Sequence, residues 1–419
     1  MVLKIVHAAD LHVDSPLRGL SRYEGAPVAE LRSATRRALH NLVSLCLEEQ
    51  ARLLLIAGDL YDGEWRDYST GLFLSAELAR LREVGTQVVW IRGNHDAESR
   101  LTKHLHLGSH VFELGVKRPE TRIFEALGVA VHGQGFATAA VTDDLSASYP
   151  APLSGLCNFG LLHTALSGRT GHAPYAPCDV LALQNKGYDY WALGHVHARE
   201  IVSEAPFIVF PGNLQARHMR ELGPKGATLI HVDDGQIRKV EHRVLDVVRF
   251  HHARIDASTA TNLDDIVALA KRAMQTAVGE AEQRLCAVRL TISGRTPGHA
   301  ALMLDPERAR AAIQARAHEI NAGDVWLEDI AFATQMPLDL EGLATRDDAI
   351  GQLVRSLSAL RSDPLQLGSL LDEIRELEGT LPPEVREASV DFTNPEAARE
   401  LLTSVEQLLL PRLLRDEAP

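Results

Sequence analysis

Asp10 and His12 stand at the end of an apolar run, IVHAADLH, and clusters of the same chemical kind follow along the chain. They are Gly58-Asp59-x-x-Asp62, Gly93-Asn94-His95-Asp96, the single His163, and Gly194-His195-x-His197. Carboxylates, imidazoles and one amide oxygen form a donor set that suits Mn²⁺, Fe²⁺ or Zn²⁺. Two such ions ~3.5–4 Å apart clamp a phosphoryl group, polarise its oxygens and lower the pKa of a bound water. A carboxylate that bridges the pair holds it together, and Asp59 is the natural bridge. The glycines before Asp59, Asn94 and His195 allow tight turns where the backbone closes on a site. Each piece alone is weak, because a lone histidine after a strand is more often a hydrogen-bonded structural residue. All of them in this order point to a dinuclear metal centre.

The elements that must position these groups are legible as alternating strands and helices. Short buried strands are expected at 2–9, 53–58 and 86–93, each running into one cluster, with helices at about 28–50 and 68–84 between them. Further sheet elements are expected at 129–136, 159–166, 188–197, 206–214 and 227–237, the last with a hairpin-like Asp234-Gly235. Alternation with short links favours a parallel α/β layering. Ligand sites in such sheets lie beyond the carboxyl ends of the strands, where these clusters would converge. From about 245 the pattern becomes strand (247–255), helix (263–283), strand (284–293), helix (306–321), strand (324–333), a small βαβαβ unit that ends at Met336-Pro337. Residues 340–419 carry helical stripes: Leu353, Val354, Leu357 and Leu360; then Leu367, Leu370, Leu371, Ile374 and Leu377. A last helix should open at Asn394 as N-cap with Pro395 at its first position. Its apolar face is Leu401, Leu402, Val405, Leu408 and Leu409.

The whole chain of 419 residues is long enough for several domains and a sizeable core. Hydrophobic residues at 45% and charged residues at 24% exclude wholesale disorder. The net charge of −13 is the wrong sign for nucleic-acid binding by bulk electrostatics, though not for a local groove or a metal grip on phosphate. No run of ~18 apolar residues predicts a membrane helix, and the N-terminus does not read as a signal peptide. Cys46, Cys157, Cys178 and Cys286 are far apart and suggest neither a zinc knuckle nor a disulfide framework, so a reduced, cytoplasmic chain is expected.

These clusters resemble those of the calcineurin-like metallophosphoesterase superfamily. The opening VHAADLHVDSPLRGL is more specific, and is similar to the YhaO-like and SbcD-like DNA repair exonucleases, where a strand runs into A-D-L-H-x-D-S-P. The resemblance covers roughly residues 1–240 by motif and 245–335 by layout. It implies a layered α/β metallophosphoesterase β-sandwich flanked by helices at 1–245. A small α/β capping domain would follow at 246–337, and a helical C-terminal region at 338–419 could dock a partner. It also implies that Asp10, His12, Asp59 and His197 hold one metal and Asp59, Asn94, His163 and His195 the other. His95 would sit unligated near the scissile phosphate and either donate a proton to the leaving oxygen or stabilise the transition state. Asp62 occupies the position that orients this histidine in the superfamily's phosphatases. In this chain the segment is GDLYDGE, with Gly63 directly after Asp62, and some nuclease relatives carry a histidine in place of that aspartate.

The implied function is an Mn²⁺-dependent DNA exonuclease in repair, acting 3′→5′ on duplex ends with an SMC-like ATPase partner. A phosphatase or a small-molecule or cyclic-nucleotide phosphodiesterase would use the same centre, and a non-catalytic repair scaffold is a third reading. A homodimer contact competes with partner docking for the C-terminal stripes. Blander readings apply elsewhere. His7 is expected as a core or supporting residue, His104, His106 and His110 as solvated loop residues rather than the lining of a substrate groove, and His251-His252 as structural. Asp14 and Ser15 suit a turn beside the first ligands. The clusters Arg32, Arg36 and Arg37; Arg80 and Arg82; Lys271 and Arg272; and Arg308, Arg310 and Arg316 suit solvated helix faces.

Overall fold

A computed structural model describes residues 2–15, 26–62, 68–98, 107–167, 175–320, 325–378 and 395–415. The chain divides into two compact units, Met1–His252 with Ala277–Val288 and Gly323–Glu328, and Ala253–Thr276 with Arg289–Ala322 and Asp329–Pro419.

The first unit opens with β1 (Leu3–Ala8), α1 (Val28–Glu48), β2 (Leu53–Ile56), α2 (Tyr68–Arg80), β3 (Gln87–Trp90), α3 (Asn94–Glu98) and β4 (Val111–Glu113). It continues with β5 (Glu120–Phe124), β6 (Val129–Gly133), β7 (Cys157–His163), α4 (Val180–Asn185), β8 (Tyr190–Gly194), β9 (Glu200–Glu204) and β10 (Phe207–Phe210). The hairpin β11 (Gly226–Asp233) and β12 (Gln236–Val244) follows, and its turn puts Asp234 and Gly235 at φ 49° and 71°. Such a turn needs residues that tolerate positive φ, which Asp-Gly does.

Two six-stranded sheets result, ordered β12-β11-β1-β2-β3-β4 and β5-β6-β7-β8-β10-β9. Strands β1 to β4 run parallel, and α1 and α2 make the crossovers that parallel neighbours require. Strands β6, β7, β8 and β10 are parallel in the second sheet, with antiparallel strands at the edges of both. The near-continuous apolar runs of β1 and β2 follow from burial on both faces. Ile5, Leu53 and Leu55 point inward with Val131, Phe159, Leu161 and Val209 of the other sheet. Val6, Leu54 and Ile56 point outward onto Leu39, Leu42 and Leu78 of the covering helices. Trp191, Leu193 and Ile208 form the outer face of the second sheet with Tyr149 and Leu183. The layered sandwich expected from sequence is therefore present, with β4, β5 and β9 added as short edge or near-edge strands whose sparse apolar residues leave little periodic signal.

Past β12 lie β13 (Val248–Asp256), α5 (Leu263–Glu280), β14 (Leu285–Arg295), α6 (His299–Leu304), α7 (Pro306–Ile320) and β15 (Val325–Gln335), with the strands in one sheet ordered β13-β14-β15. The helical region is α8 (Leu340–Ala344), α9 (Ala349–Ser362), α10 (Pro364–Glu378) and α11 (Pro395–Arg415). Its stripes pack on each other: Leu357, Leu367, Leu371, Ala398 and Leu402 form one cluster, and Ile350, Val354 and Leu410 another. Leu408 and Leu409 are 38% and 37% exposed, so the buried side of α11 runs along Ala398, Leu402, Glu406 and Leu410 instead. Asn394 lies outside the described residues, as do Gly63, His104 and His106. Among the described residues no helix is long and apolar enough to cross a membrane.

Candidate metal centre

The carboxyl ends of β1, β2, β7 and β8, and the turn after β3, bring the sequence clusters to one rim of the sandwich. Four of the residues concerned adopt a backbone conformation rare for side chains larger than glycine: Asp10 (φ 51°), His12 (44°), Asp59 (55°) and His195 (95°). Such conformations persist only where surroundings impose them, and they cluster at functional sites. Here the surroundings are backbone bonds. Asp10 N–H donates to Gly58 O, and His12 N–H to Asp59 O, each at 3.0 Å. His195 N–H donates to both oxygens of Asp10 at 3.1 and 3.0 Å, and His95 N–H to Asp59 Oδ1 at 3.0 Å. Two of the glycines are needed for close approach. A Cβ at Gly58, which has φ +92°, would lie 2.5 Å from His163 Nδ1, and one at Gly93 would collide with the Asp59 carboxylate.

Side-chain distances define three donor groups, each with ligand atoms within 4.8 Å of one another: Asp10, His12 and His197; Asp10, Asp59 and His163; and His12, Asp62 and His95. His197 Nε2 is 3.3 Å from His12 Nε2 and 4.0 Å from Asp10 Oδ1. His163 Nε2 is 3.0 Å from Asn94 Oδ1 and 3.5 Å from Asp59 Oδ2, and Asp59 Oδ2 is 3.9 Å from His12 Nε2. The His195 ring centroid is 5.2 Å from that of His163. All of the expected residues thus meet at the rim.

The protons show what kind of group fits. His163 Nδ1 is 2.8 Å from the Ala57 carbonyl, which can only accept, so Nδ1 carries the hydrogen and Nε2 of the neutral ring is a lone pair. That lone pair faces the Asn94 and Asp59 oxygens with no hydrogen between them. His197 repeats the logic. Its Nδ1 donates to Glu221 Oε1 at 2.6 Å, which turns a second lone pair toward His12 and Asp10. Burial keeps the His163 and His12 rings neutral, pushing His163 down to about 3 and His12 to about 4. Burial, and then the Asp59 charge, pushes the Asp10 carboxyl well above its ordinary range. Converging lone pairs and crowded buried carboxylates are relieved by cations, and the N/O donor set matches borderline divalent metals.

Asp62 and His95 form a further pair, and His12 Nδ1 also lies 3.6 Å from Asp62 Oδ1. His95 Nδ1 is 3.1 Å from Asp62 Oδ1, with the His95 side chain 35% exposed. Burial would raise the Asp62 carboxyl, but the His12 and His95 imidazoles and the Ser15 hydroxyl outweigh it and hold it well below the usual carboxylate range. Burial alone would lower His95, and the Asp62 contact reverses this to a raised value. Ser15 Oγ donates to Asp62 Oδ2 at 2.5 Å, and Arg217 does so at 3.2 Å. Asp14 pins the same loop by accepting from Arg36 Nε and Nη2, at 2.7 and 2.6 Å, and from the Thr70 hydroxyl.

Sequence reading does not find Arg217, Glu221 or Asp96 in these roles. Arg217 and Glu221 sit in ARHMREL, which carries no motif. Asp96 is fully buried and accepts from Gly93 N–H at 3.0 Å and Tyr61 N–H at 3.2 Å. It closes the turn that presents Asn94 and His95, and burial, then Asp59, pushes its carboxyl up to about 8. The G-N-H-D spacing is the signal from which that role was available. Of the other histidines, His7 bonds Tyr190 and Leu193, and His110, expected as a solvated loop residue, is instead buried with Nε2 bonded to Leu78 O at 2.8 Å, because that carbonyl takes up its ring proton. Arg36, Arg80, Lys271, Arg310 and Arg316 each face a carboxylate, as solvated helix faces do.

Comparison with known proteins agrees with the motifs. Residues 3–199 match the model of calcineurin-like phosphoesterases, and residues 250–335 match the middle domain of metallophosphoesterase YhaO. The chain is 35% identical over 274 residues to the uncharacterized metallophosphoesterase YhaO of Bacillus subtilis, covering 62% of this chain and 65% of that protein. It is 25% identical over 273 residues to the DNA double-strand break repair protein Mre11 of Methanopyrus kandleri, covering 58% of this chain and 57% of the relative. The match thus spans less than two thirds of either curated relative. Among solved structures, TT1561 of Thermus thermophilus matches with a TM-score of 0.34 and 12% identity, over 58% of this chain and 99% of the other. Through the sandwich and the donor set at its rim, residues 3–199 are a calcineurin-like phosphoesterase domain.

Proposed function

We propose that this protein is a metal-dependent DNA exonuclease of the repair type, and that the observation carrying this reading is the His95–Asp62 pair set beside a complete two-metal donor set. Asp10, His12, Asp59 and His197 would hold one ion and Asp59, Asn94, His163 and His195 the other, with Asp59 shared. Bound divalent ions, Mn²⁺ in our reading, with Fe²⁺ or Zn²⁺ as alternatives, neutralise the phosphoryl oxygens and activate a water. The protein's own part is acid catalysis and orientation. Asp62 accepts from the His95 Nδ1 proton at 3.1 Å and favours the doubly protonated ring, whose Nε2–H is then the edge presented to a leaving oxygen. The raised basicity of His95 keeps that proton available at neutral pH.

The DNA substrate is supported by the similarity to Mre11 and by the opening A-D-L-H-x-D-S-P, of which Ser15 bonds Asp62. We read 1–245 as the nuclease domain, 246–337 as a small α/β cap, and 338–419 as the region that docks an SMC-like ATPase in the cytoplasm. The charge of −13, and the pairing of many basic residues with acids, favour a DNA path completed by that partner. They equally motivate a second reading, a small-molecule or cyclic-nucleotide phosphodiesterase. Purified protein with Mn²⁺ would be given end-labelled duplex and single-stranded DNA, and bis-p-nitrophenyl phosphate, with Asp59→Asn as control. DNA degradation lost in the control is the expected result, and the product ladder gives the polarity. Ester hydrolysis without DNA cleavage, even with the ATPase added, would favour the second reading.

A further inference from the structure

The turn after β10 reaches both halves of the site from one short stretch of chain. Glu221 N–H donates to His218 O at 3.0 Å and closes the turn. The Glu221 side chain is 6% exposed, and each of its oxygens is committed. Oε1 accepts from His197 Nδ1 at 2.6 Å, while Oε2 accepts from Arg217 N–H at 2.7 Å and Asn213 Nδ2 at 3.0 Å. Four residues earlier, Arg217 extends the other way. Its NH1 lies 3.2 Å from Asp62 Oδ2 and 3.4 Å from Ser15 Oγ, and its NH2 lies 3.6 Å from Glu221 Oε1. The guanidinium therefore bridges two carboxylates, one behind a ligand histidine and one behind His95.

We propose that residues 217–221 form a two-armed positioning turn, in which Glu221 fixes His197 as a metal ligand and Arg217 fixes Asp62, and through it the proton-donating edge of His95. This rests on the metallophosphoesterase reading above, though the first arm needs only the metal. A carboxylate behind a ligand histidine sets its tautomer and ring orientation, and losing such a partner costs ~10–100-fold in metal affinity. The second arm acts on chemistry. A rigid planar fork holds a carboxylate in one orientation, which a lysine's single point charge does not. If Asp62 swings, the His95 ring loses its fixed tilt while the Glu221–His197 contact stays in place; Asp62 Oδ1 also lies 3.6 Å from His12 Nδ1, a longer contact than the 3.1 Å to His95.

The two arms predict opposite signatures. In Glu221→Gln, calorimetric Mn²⁺ affinity should fall ~10–100-fold. At saturating Mn²⁺ its preference between good and poor leaving groups should match wild type. In Arg217→Met, Mn²⁺ affinity should stay within ~3-fold of wild type. Its rate should fall at least ~10-fold on an alkyl phosphodiester but little on bis-p-nitrophenyl phosphate, because a nitrophenolate leaves without a proton. Arg217→Lys should recover the alkyl ester rate only in part. Crystal structures of both variants with Mn²⁺ supply a readout independent of turnover: the His95–Asp62 contact should loosen in Arg217→Met alone. Equal changes in both variants on both readouts would reduce the turn to a structural loop and overturn the proposal. So would an unchanged Mn²⁺ affinity in Glu221→Gln. A wild type that binds Mn²⁺ but hydrolyses no phosphodiester would sink the functional reading, and the affinity and crystallographic measurements would still decide the positioning turn.

Discussion

His163 and His7 are both fully buried, and burial pushes both rings down to about 3, yet they belong to different kinds of region. His7 lies in the body of the sandwich. Its Nδ1 meets the Tyr190 hydroxyl and its Nε2 the Leu193 carbonyl, each at 3.1 Å, so the protein satisfies the whole ring. His132 is the same, held by Thr121 at 2.8 Å and Asn158 at 3.0 Å. His163 lies at the rim. One nitrogen is held by Ala57, and the other meets only acceptors. Burial of a histidine therefore says little, whereas an incomplete set of protons around it says that something else must arrive. The body is finished by folding, and the rim is finished by binding a cation.

The largest test of this contrast is Asp59→Asn. The shared carboxylate loses its charge where two donor groups meet, and phosphodiesterase activity should fall to background together with Mn²⁺ binding. Retained activity would dissolve the distinction between rim and body. His95→Gln comes next and divides the rim itself. The variant should bind Mn²⁺ as wild type does and lose ~10²–10⁴-fold in rate on substrates with poor leaving groups. A comparable loss of metal affinity would make His95 a ligand instead, in line with its membership of the His12, Asp62 and His95 group. Third, added Mn²⁺ should stabilise the chelator-treated protein by about 2.7 kcal/mol at a hundredfold excess over Kd. Calorimetric melting with and without EDTA measures this, and Asp59→Asn should show no such shift.

How much of this is legible in the sequence follows the same line. The rim clusters are visible because each ligand directly follows a buried strand, so local pattern and function coincide at Asp10, Asp59 and His195. The long buried strands and covering helices are legible for the same reason, since their periodicity is strong. Glu221 has no such mark. It lies 24 residues beyond His197, in a turn, and only the tertiary fold brings it within 2.6 Å of the ring. Helical spacing sets the stripe of α11 a little off its true face, since Leu408 and Leu409 are partly exposed while Glu406 and Leu410 are buried. Spacing alone gives neighbouring faces nearly equal weight when leucines stand on both, and packing decides between them.

The smallest and most specific test concerns the body. In His7→Leu the Tyr190 hydroxyl and the Leu193 carbonyl lose their partner, which at neutral pH should cost about 1–3 kcal/mol in a urea titration. The cost should depend on pH in a determined direction. The folded His7 pKa is depressed from 6.5 to about 3, so between these values the unfolded chain binds a proton that the folded chain does not. Its stability is therefore fully present above 6.5 and is lost as pH falls through that window, by about 1.4 kcal/mol per pH unit for one proton. The leucine variant lacks this loss. Asp10 and Asp96, whose raised values act in the opposite sense, are common to both proteins and cancel in the difference. Measured in EDTA at about pH 7.5 and about pH 5, on either side of the unfolded histidine's value, the gap between wild type and His7→Leu should narrow at the lower pH. A gap that stays constant would mean that His7 protonates inside the fold, and that the body, like the rim, still has room for a cation.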